Sequence, residues 1–136
     1  MQGDEIIGQW SAEAGYHSSM EDEQFVFWGD GVGLVEYARP AASTWVLFRW
    51  ARTAIRTVRL EPYRCVRREG GAVVDGDVPA VVEVGYRITR EERPLIDEVL
   101  PVLYLPAPFA ATPDGGYGLI TREPAVYFTN MRRASS

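Results

Sequence analysis

The sequence predicts an all-β protein, a single antiparallel up-and-down β-barrel of about eight strands with little helix. First, apolar and polar side chains alternate with a period of two along most of the chain, which is typical of strands buried on one face. Second, glycine, proline and aspartate separate these segments at intervals of roughly 8–14 residues. Third, a length of 136 residues suits one domain, 1–136. Strands in this number commonly close into a barrel, because closure removes unpaired edges.

The predicted strands are, in chain order, a short apolar segment within Ile6–Ala14, then Gln24–Trp28, Leu34–Arg39, Thr44–Arg52, Arg56–Arg68, Val78–Arg90, Val99–Leu105 and Tyr117–Arg122. Gly29-Asp30-Gly31 is a strong hairpin signal. The segment Arg93–Leu100 has apolar residues at helical spacing and Pro94 in a first-turn position, which predicts a helical turn at a hairpin tip. After the last strand we expect an extended piece at Val126–Phe128 in place of a C-terminal helix, and a frayed tail at 131–136.

Composition excludes several function classes. One cysteine excludes an intramolecular disulfide framework and a multi-cysteine zinc site, and one histidine excludes a multi-histidine metal site. We therefore expect no metal and no cofactor. No apolar run is long enough to cross a membrane, the acidic N-terminal sequence lacks a signal-peptide pattern, and the net charge of −5 argues against nucleic-acid binding. A cytoplasmic protein with neither a nucleic-acid nor a membrane partner is expected.

All fourteen basic residues are arginines, and half of them fall between positions 49 and 68. One interpretation is that neighbouring strands carry complementary exposed rows of charge. The other is an anion site built from Arg49, Arg52, Arg56 and Arg59.

Three motifs occur in a characteristic order. Gly8-Gln9-Trp10 opens the first strand, Phe25–Gly33 forms a strand, an Asp-Gly turn and a returning strand, and Phe48-Arg49-Trp50 precedes Val58-Arg59-Leu60. Over residues 6–60 this order resembles the lipocalin-like (calycin) small β-barrels of bacteria. The resemblance implies a barrel whose interior holds one small ligand, with Trp10 closing one end as a structural residue. The lack of a predicted C-terminal helix departs from that family.

Strand alternation predicts which side chains point inward. Val82, Val84, Tyr86 and Ile88 share one face and should point inward, as should Phe25 and Phe27. By the resemblance, Phe48 and Trp50 also point inward. Trp45 and Leu47 would then lie outside and need cover, either from a loop or the C-terminal segment, or from a second copy in a homodimer.

The candidate site is aromatic. The predicted ligand-binding residues are Phe25, Phe27, Tyr37, Phe48, Trp50, Tyr86, Tyr104 and Tyr117. Glu36 and Tyr86 are the candidate catalytic groups, because an inward Glu36 would be a buried carboxylate with a raised pKa. The loops Gly15–Glu23 and Pro106–Gly116 are candidate caps. His17 is interpreted as a loop residue and Cys65 as an inert strand residue, so no nucleophile–base pair is predicted.

Three function hypotheses follow. The first is a protein that binds a small apolar or aromatic molecule in the barrel interior. The second is a cofactor-independent cyclase that folds a polyketide-like substrate in the same pocket, because intramolecular cyclisation needs orientation more than a nucleophile. The third is an immunity or inhibitor protein that uses the acidic segment Glu21-Asp22-Glu23 and an outward Trp45. A filled interior without any pocket would leave only the third.

Overall fold

The computed structural model describes residues 4–16 and 20–135, so His17 lies outside the described residues. This part of the chain forms ten strands and one C-terminal helix. The elements are β1 (Gly8–Ser11), β2 (Asp22–Phe27), β3 (Val32–Arg39), β4 (Ala42–Ala54), β5 (Thr57–Glu69), β6 (Ala72–Asp75), β7 (Val82–Gly85), β8 (Arg87–Arg93), β9 (Ile96–Tyr104), β10 (Tyr117–Thr121) and α1 (Val126–Ser135).

The strands form one antiparallel sheet in the order β6-β5-β4-β3-β2-β1-β10-β9-β8, with β7 also paired to β5. The prediction of a mainly antiparallel β protein is confirmed. The prediction of a closed barrel of about eight strands is wrong, because the described part of the chain has ten strands and no ladder in it joins the two ends of the sheet. The two ends of the sheet are instead linked by the chain itself. β7 pairs with β5, β8 pairs with β9, and only Tyr86 lies between β7 and β8 in sequence.

The predicted helical turn within Arg93–Leu100 is wrong. Arg93 pairs with Ile96, so Pro94 and Leu95 are the two-residue turn between β8 and β9. A single helical turn is unstable by itself, since it fixes several backbone angles for one hydrogen bond. Pairing of two strands on an existing sheet satisfies more backbone groups, and this outweighs the local apolar spacing.

The inner face of the curved sheet holds the main core. Phe25, Phe27, Phe48, Trp50 and Tyr86 all belong to this cluster, which confirms the inward direction predicted for each. Val82, Val84 and Ile88 also pack there, as alternation predicted, and so do Val58 and Leu60.

Gly33 makes the core arrangement possible. A Cβ at this position would lie 2.3 Å from the ring of Phe48, which is its cross-strand partner. A side chain here would displace the Phe48 ring, and the returning strand of the Asp-Gly hairpin therefore requires glycine.

The outer face of the sheet is covered by α1. Its buried residues Phe128, Met131 and Ser135 recur at helical spacing, and Arg132 and Arg133 in the last turn suit the negative end of the helix dipole. The backbone carbonyl of Ala125 accepts the first helical hydrogen bond, from the N–H of Phe128 at 3.0 Å. The expected extended piece at Val126–Phe128 is therefore wrong, and so is the expected frayed tail over Met131–Ser135.

Trp45 and Leu47 lie beneath this helix. They form a second apolar cluster with Phe128 and Met131, and the indole N–H of Trp45 donates to the Ser135 hydroxyl at 3.0 Å. The predicted cover by the C-terminal segment is confirmed. The Trp45/Leu47 face that suggested a homodimer is thus covered within one chain.

Trp10 is fully buried in the inner core, and its indole N–H donates to the Ile6 carbonyl at 2.9 Å. The Arg122 guanidinium lies 5.5 Å from the centre of its ring and also donates to the carbonyls of Glu5 and Ile7. The Trp10 side chain is therefore held by contacts within the chain, and the cavities described below are lined by other residues.

Candidate functional site

The interior between the strands is filled. Phe27 contacts Phe25, Phe48 and Trp50 with ring centres 5.5–5.7 Å apart, and all four side chains are at most 3% exposed. These four predicted ligand-binding residues therefore pack against one another. The space available to a ligand lies beyond them, beside the loop between β9 and β10.

The first cavity beside this loop has a volume of about 490 Å³. Tyr86, Tyr104 and Tyr117 line it, and we call it the tyrosine cavity. The structure thus brings together three predicted ligand-binding residues from distant parts of the chain. The remaining lining residues are Gly85, Arg87, Leu105, Pro106, Thr112, Pro113, Asp114 and Gly116.

The polar atoms of the tyrosine cavity are mostly engaged. The Tyr104 hydroxyl donates to the Glu91 carboxylate at 2.6 Å, and this hydrogen bond raises the pKa of Tyr104. The Arg87 guanidinium lies 3.9 Å from the centre of the Tyr104 ring. Burial raises the pKa of Tyr86. An apolar cavity with a few placed polar groups is the usual form of a small-molecule site.

A second cavity, also of about 490 Å³, is lined by other residues of the same loop. We call it the Tyr37 cavity. It is lined by Glu23, Val35, Tyr37, Arg39, Thr44, Val46 and loop residues Pro108, Phe109, Ala110 and Ala111. Tyr37 is 36% exposed and donates its hydroxyl to Glu21 at 2.7 Å. The structure therefore does not place Tyr37 with the other predicted tyrosines.

A buried Glu23–Tyr117 pair joins the loop to the core. The Tyr117 hydroxyl donates to Glu23, and the backbone N–H of Ala111 donates to both Glu23 oxygens at 3.0 and 3.1 Å. Burial beside the carboxylate raises the pKa of Tyr117 far above its ordinary value, so its phenol stays protonated. The sequence analysis did not select Glu23 for the pocket. The signal was present, because Glu23 alternates in phase with the inward Phe25 and Phe27.

Glu36 lies on the opposite face of the sheet. It is 4% exposed beneath α1 and accepts a hydrogen bond from the Tyr127 hydroxyl at 2.8 Å. Burial raises the pKa of Glu36, so the expected buried carboxylate exists, but the expected inward direction is wrong. Glu36 follows the parity of the helix-covered Leu34, whereas Tyr86 belongs to the inner core. The two predicted catalytic residues therefore do not share a site.

The predicted arginine site does not converge. Arg59 lies 3.6 Å from Glu61, Arg52 lies 3.7 Å from Asp4, and Arg49 stacks on Tyr63. Three of the four arginines thus have separate partners, which favours the interpretation of complementary exposed rows.

The surface invoked for an immunity or inhibitor role is largely covered. Trp45 lies under α1 and Glu23 is buried beneath the loop. Asp22 is half-buried, with both carboxylate oxygens accepting from Ser11.

Other chemistry receives little support. Cys65 is buried, and burial raises the pKa of its thiol, which disfavours the reactive thiolate. Within residues 4–16 and 20–135, no group of three or more His, Cys, Asp or Glu side chains could hold a metal ion. In the same part of the chain, no helix has the length and apolar character needed to cross a membrane.

No protein-family model matches the chain, and neither a curated protein nor a solved structure shows significant similarity to it. Any function must therefore be argued from the geometry of the site.

Proposed function

We propose that this protein binds a small apolar or aromatic molecule in the tyrosine cavity. The observation that carries the proposal is a cavity of about 490 Å³ between the side chains of Tyr86, Tyr104 and Tyr117. Tyrosine rings, prolines and Leu105 offer apolar contact, while Arg87 and Asp114 supply charge among the lining residues. Since most tyrosine hydroxyls already have protein partners, shape and ring contact contribute more to binding than new hydrogen bonds.

The test is a fluorescence titration with the neutral apolar dye N-phenyl-1-naphthylamine. Asp114→Trp places a large side chain at the cavity wall, and Tyr104→Ala removes one of its rings. We expect each to weaken dye binding by about tenfold or more, corresponding to about 1.4 kcal/mol. Asp97→Trp, at an exposed position on β9, is the matched control and should leave the dissociation constant unchanged.

Two results would contradict the proposal. One is the absence of a fluorescence gain with the wild-type protein. The other is an equal dissociation constant for the wild type, Asp114→Trp and Asp97→Trp, because dye would then bind elsewhere on the surface.

A second candidate is cofactor-independent cyclisation in the same region, in the manner of a pericyclase acting on a natural-product precursor. The Glu23–Tyr117 pair favours it, because it offers a buried carboxylate and a protonated phenol beside the two cavities. These residues take the roles that the sequence assigned to Glu36 and Tyr86. Turnover of a linear polyketide-like substrate that falls in Tyr117→Phe, with dye affinity retained, would distinguish catalysis from binding alone.

A further inference from the structure

The loop Leu105–Gly116 lines both cavities. Its residues Pro108–Ala111 line the Tyr37 cavity, and Thr112–Asp114 with Gly116 line the tyrosine cavity. The same twelve-residue segment therefore contributes to two spaces of about 490 Å³ each.

Phe109, in the middle of this loop, contacts the core. Its ring centre lies 6.0 Å from that of Phe48, and Phe109 packs against the inner cluster while remaining half-buried. Phe109 thus occupies the position between the aromatic interior and the outside. Its withdrawal would expose the faces of rings that are otherwise fully buried.

Side chains, more than strand pairing, hold the loop closed. Glu23 accepts the hydrogen bond of the Ala111 N–H and, on the same carboxylate, that of the Tyr117 hydroxyl. Thr112 has a φ of 53° and Gly116 has a φ of 68°. A positive φ at a threonine is strained, so one end of the segment 112–116 stores conformational energy while the loop is closed.

The far end of the loop covers Arg93. This arginine is 4% exposed, donates one hydrogen bond to the Gly115 carbonyl at 2.5 Å and lies 4.5 Å from the centre of the Tyr16 ring. Its Nε and Nη1 atoms are buried without a hydrogen-bond partner among residues 4–16 and 20–135. An unsatisfied buried charged group is costly, and opening of the loop would return these atoms to water. The unpaired Arg93 atoms therefore make the closed conformation of the loop less stable.

We propose that Leu105–Gly116 is a lid that controls entry to the ligand site. Opening breaks the contacts with Glu23 and Tyr117, withdraws Phe109 and joins the two cavities into one site. The joined site would take an elongated apolar molecule that reaches from Tyr104 to Tyr37. This inference rests on the proposed function, since it names the regulation and the ligand shape of the same site.

The first test is stopped-flow binding of N-phenyl-1-naphthylamine. If the lid must open first, the observed rate in the wild type reaches a ceiling as dye concentration rises. Phe109→Ala removes the contact with Phe48, and Glu23→Gln removes the charge that strengthens the bond to Ala111. Each variant should raise the ceiling by about tenfold. Glu36→Gln is the matched control, because it also alters a buried carboxylate that accepts a hydrogen bond from a tyrosine, here Tyr127 of α1. It should leave the ceiling unchanged.

The second test does not depend on dye. Hydrogen exchange of the amides in 105–116 should be faster than in β2 and β4 of the wild type, and faster again in Phe109→Ala and Glu23→Gln. Near-ultraviolet circular dichroism would establish that both variants remain folded.

The outcomes separate the two proposals. An observed rate that rises linearly with dye concentration and is unaffected by both variants would overturn the lid and leave the ligand site standing. Absence of dye binding in every variant would overturn the ligand site. In that case exchange decides the lid, which fails if the loop amides are as protected as those of β2 and insensitive to both substitutions.

Discussion

The two faces of the sheet carry the same tyrosine–carboxylate pair in different settings, since Tyr117 is 1% exposed and Tyr127 is 53% exposed. On the inner face Tyr117 donates to Glu23 beneath the loop, and on the outer face Tyr127 donates to Glu36 beneath α1. Burial is the largest cause of the raised pKa of both tyrosines, and each carboxylate also contributes. The difference lies in what each pair holds in place.

The outer pair joins a helix whose backbone groups already bond to one another. Loss of the Tyr127–Glu36 bond would therefore leave α1 with its own hydrogen bonds and its apolar contacts. The inner pair holds the amide of Ala111 in a loop without regular secondary structure. A tyrosine–carboxylate pair thus stabilises a helix in one place and is a control point for a loop in the other, and the element it contacts decides which.

Substitution of Phe27 by alanine should have the largest effect on stability. This fully buried side chain contacts three aromatic rings, and a well-packed interior cannot collapse around the lost volume. We expect the free energy of unfolding to fall by about 4–5 kcal/mol, measured by urea denaturation. A loss below about 2 kcal/mol would show that the interior has more room than its ring contacts indicate.

Phe128→Ala tests the outer layer by the same substitution. Phe128 is the buried aromatic residue of α1, and a helix at the chain terminus can shift to close part of the cavity. We expect a loss of about 3 kcal/mol, with reduced helical circular dichroism and an increased exposure of Trp45 to acrylamide quenching. A cost equal to that of Phe27→Ala would remove the distinction between a rigid inner layer and an adaptable outer one.

Trp45→Phe should have a smaller effect. It keeps most of the apolar contact with α1 but deletes the indole N–H that donates to the Ser135 hydroxyl at 3.0 Å. We expect a loss of about 1 kcal/mol in thermal unfolding, since Ser135 lies at the helix end and can turn toward water. Trp50→Phe is the inner control, because it deletes an indole N–H that donates to two backbone carbonyls and reduces a side chain packed against Phe27 in the interior, and it should cost more. The reverse order would contradict the proposed rigidity of the inner face.

Strand faces could be predicted because alternation is a local property of the backbone. Phe25, Phe48 and Tyr86 point inward for the same reason that their sequence neighbours point outward. The helix could not be predicted as readily, since Phe128 and Met131 stabilise it only by burial against a sheet that distant residues form. The direction assigned to Glu36 was wrong as a consequence: without α1, the interior was the only place that could bury it.

Part of the candidate site could also be predicted from strand alternation. The tyrosines that line the first cavity lie on strands or beside them, so the pattern of alternation marked them. The packing of Phe109 against the interior could not be predicted in this way, because Phe109 lies in a loop. That position is set by the hydrogen bond from the loop residue Ala111 to Glu23, which also accepts from Tyr117, and Glu23 and Tyr117 lie far apart in sequence. Such loop contacts leave no periodic signal in the sequence. Glu23 is the exception, because its phase with Phe25 marked it as inward.

The smallest expected effect is the pH dependence that Glu36 gives to stability. Burial raises the pKa of the Glu36 carboxyl above its ordinary value, so the folded state holds this proton at pH values where the unfolded state has released it. The stabilisation is fully present below the ordinary glutamate pKa of about 4.3 and is lost as pH rises through the higher folded pKa. Glu36→Gln carries no such proton, so the stability of wild type minus that of the variant should fall over this range and then level off.

Tyr127→Phe gives a second test of the raised pKa of Glu36. The Tyr127 hydrogen bond lowers the pKa of Glu36 against the effect of burial, so its removal should raise that pKa further and make stability fall more steeply with increasing pH. The contribution of Asp22, whose pKa is also raised by burial, is common to all three proteins and cancels to first order in the differences. A wild-type minus Glu36→Gln difference that is flat, or that increases with pH in urea denaturation, would mean that Glu36 is better hydrated than its position beneath α1 indicates. The outer pair would then no longer be a fair control for the inner one.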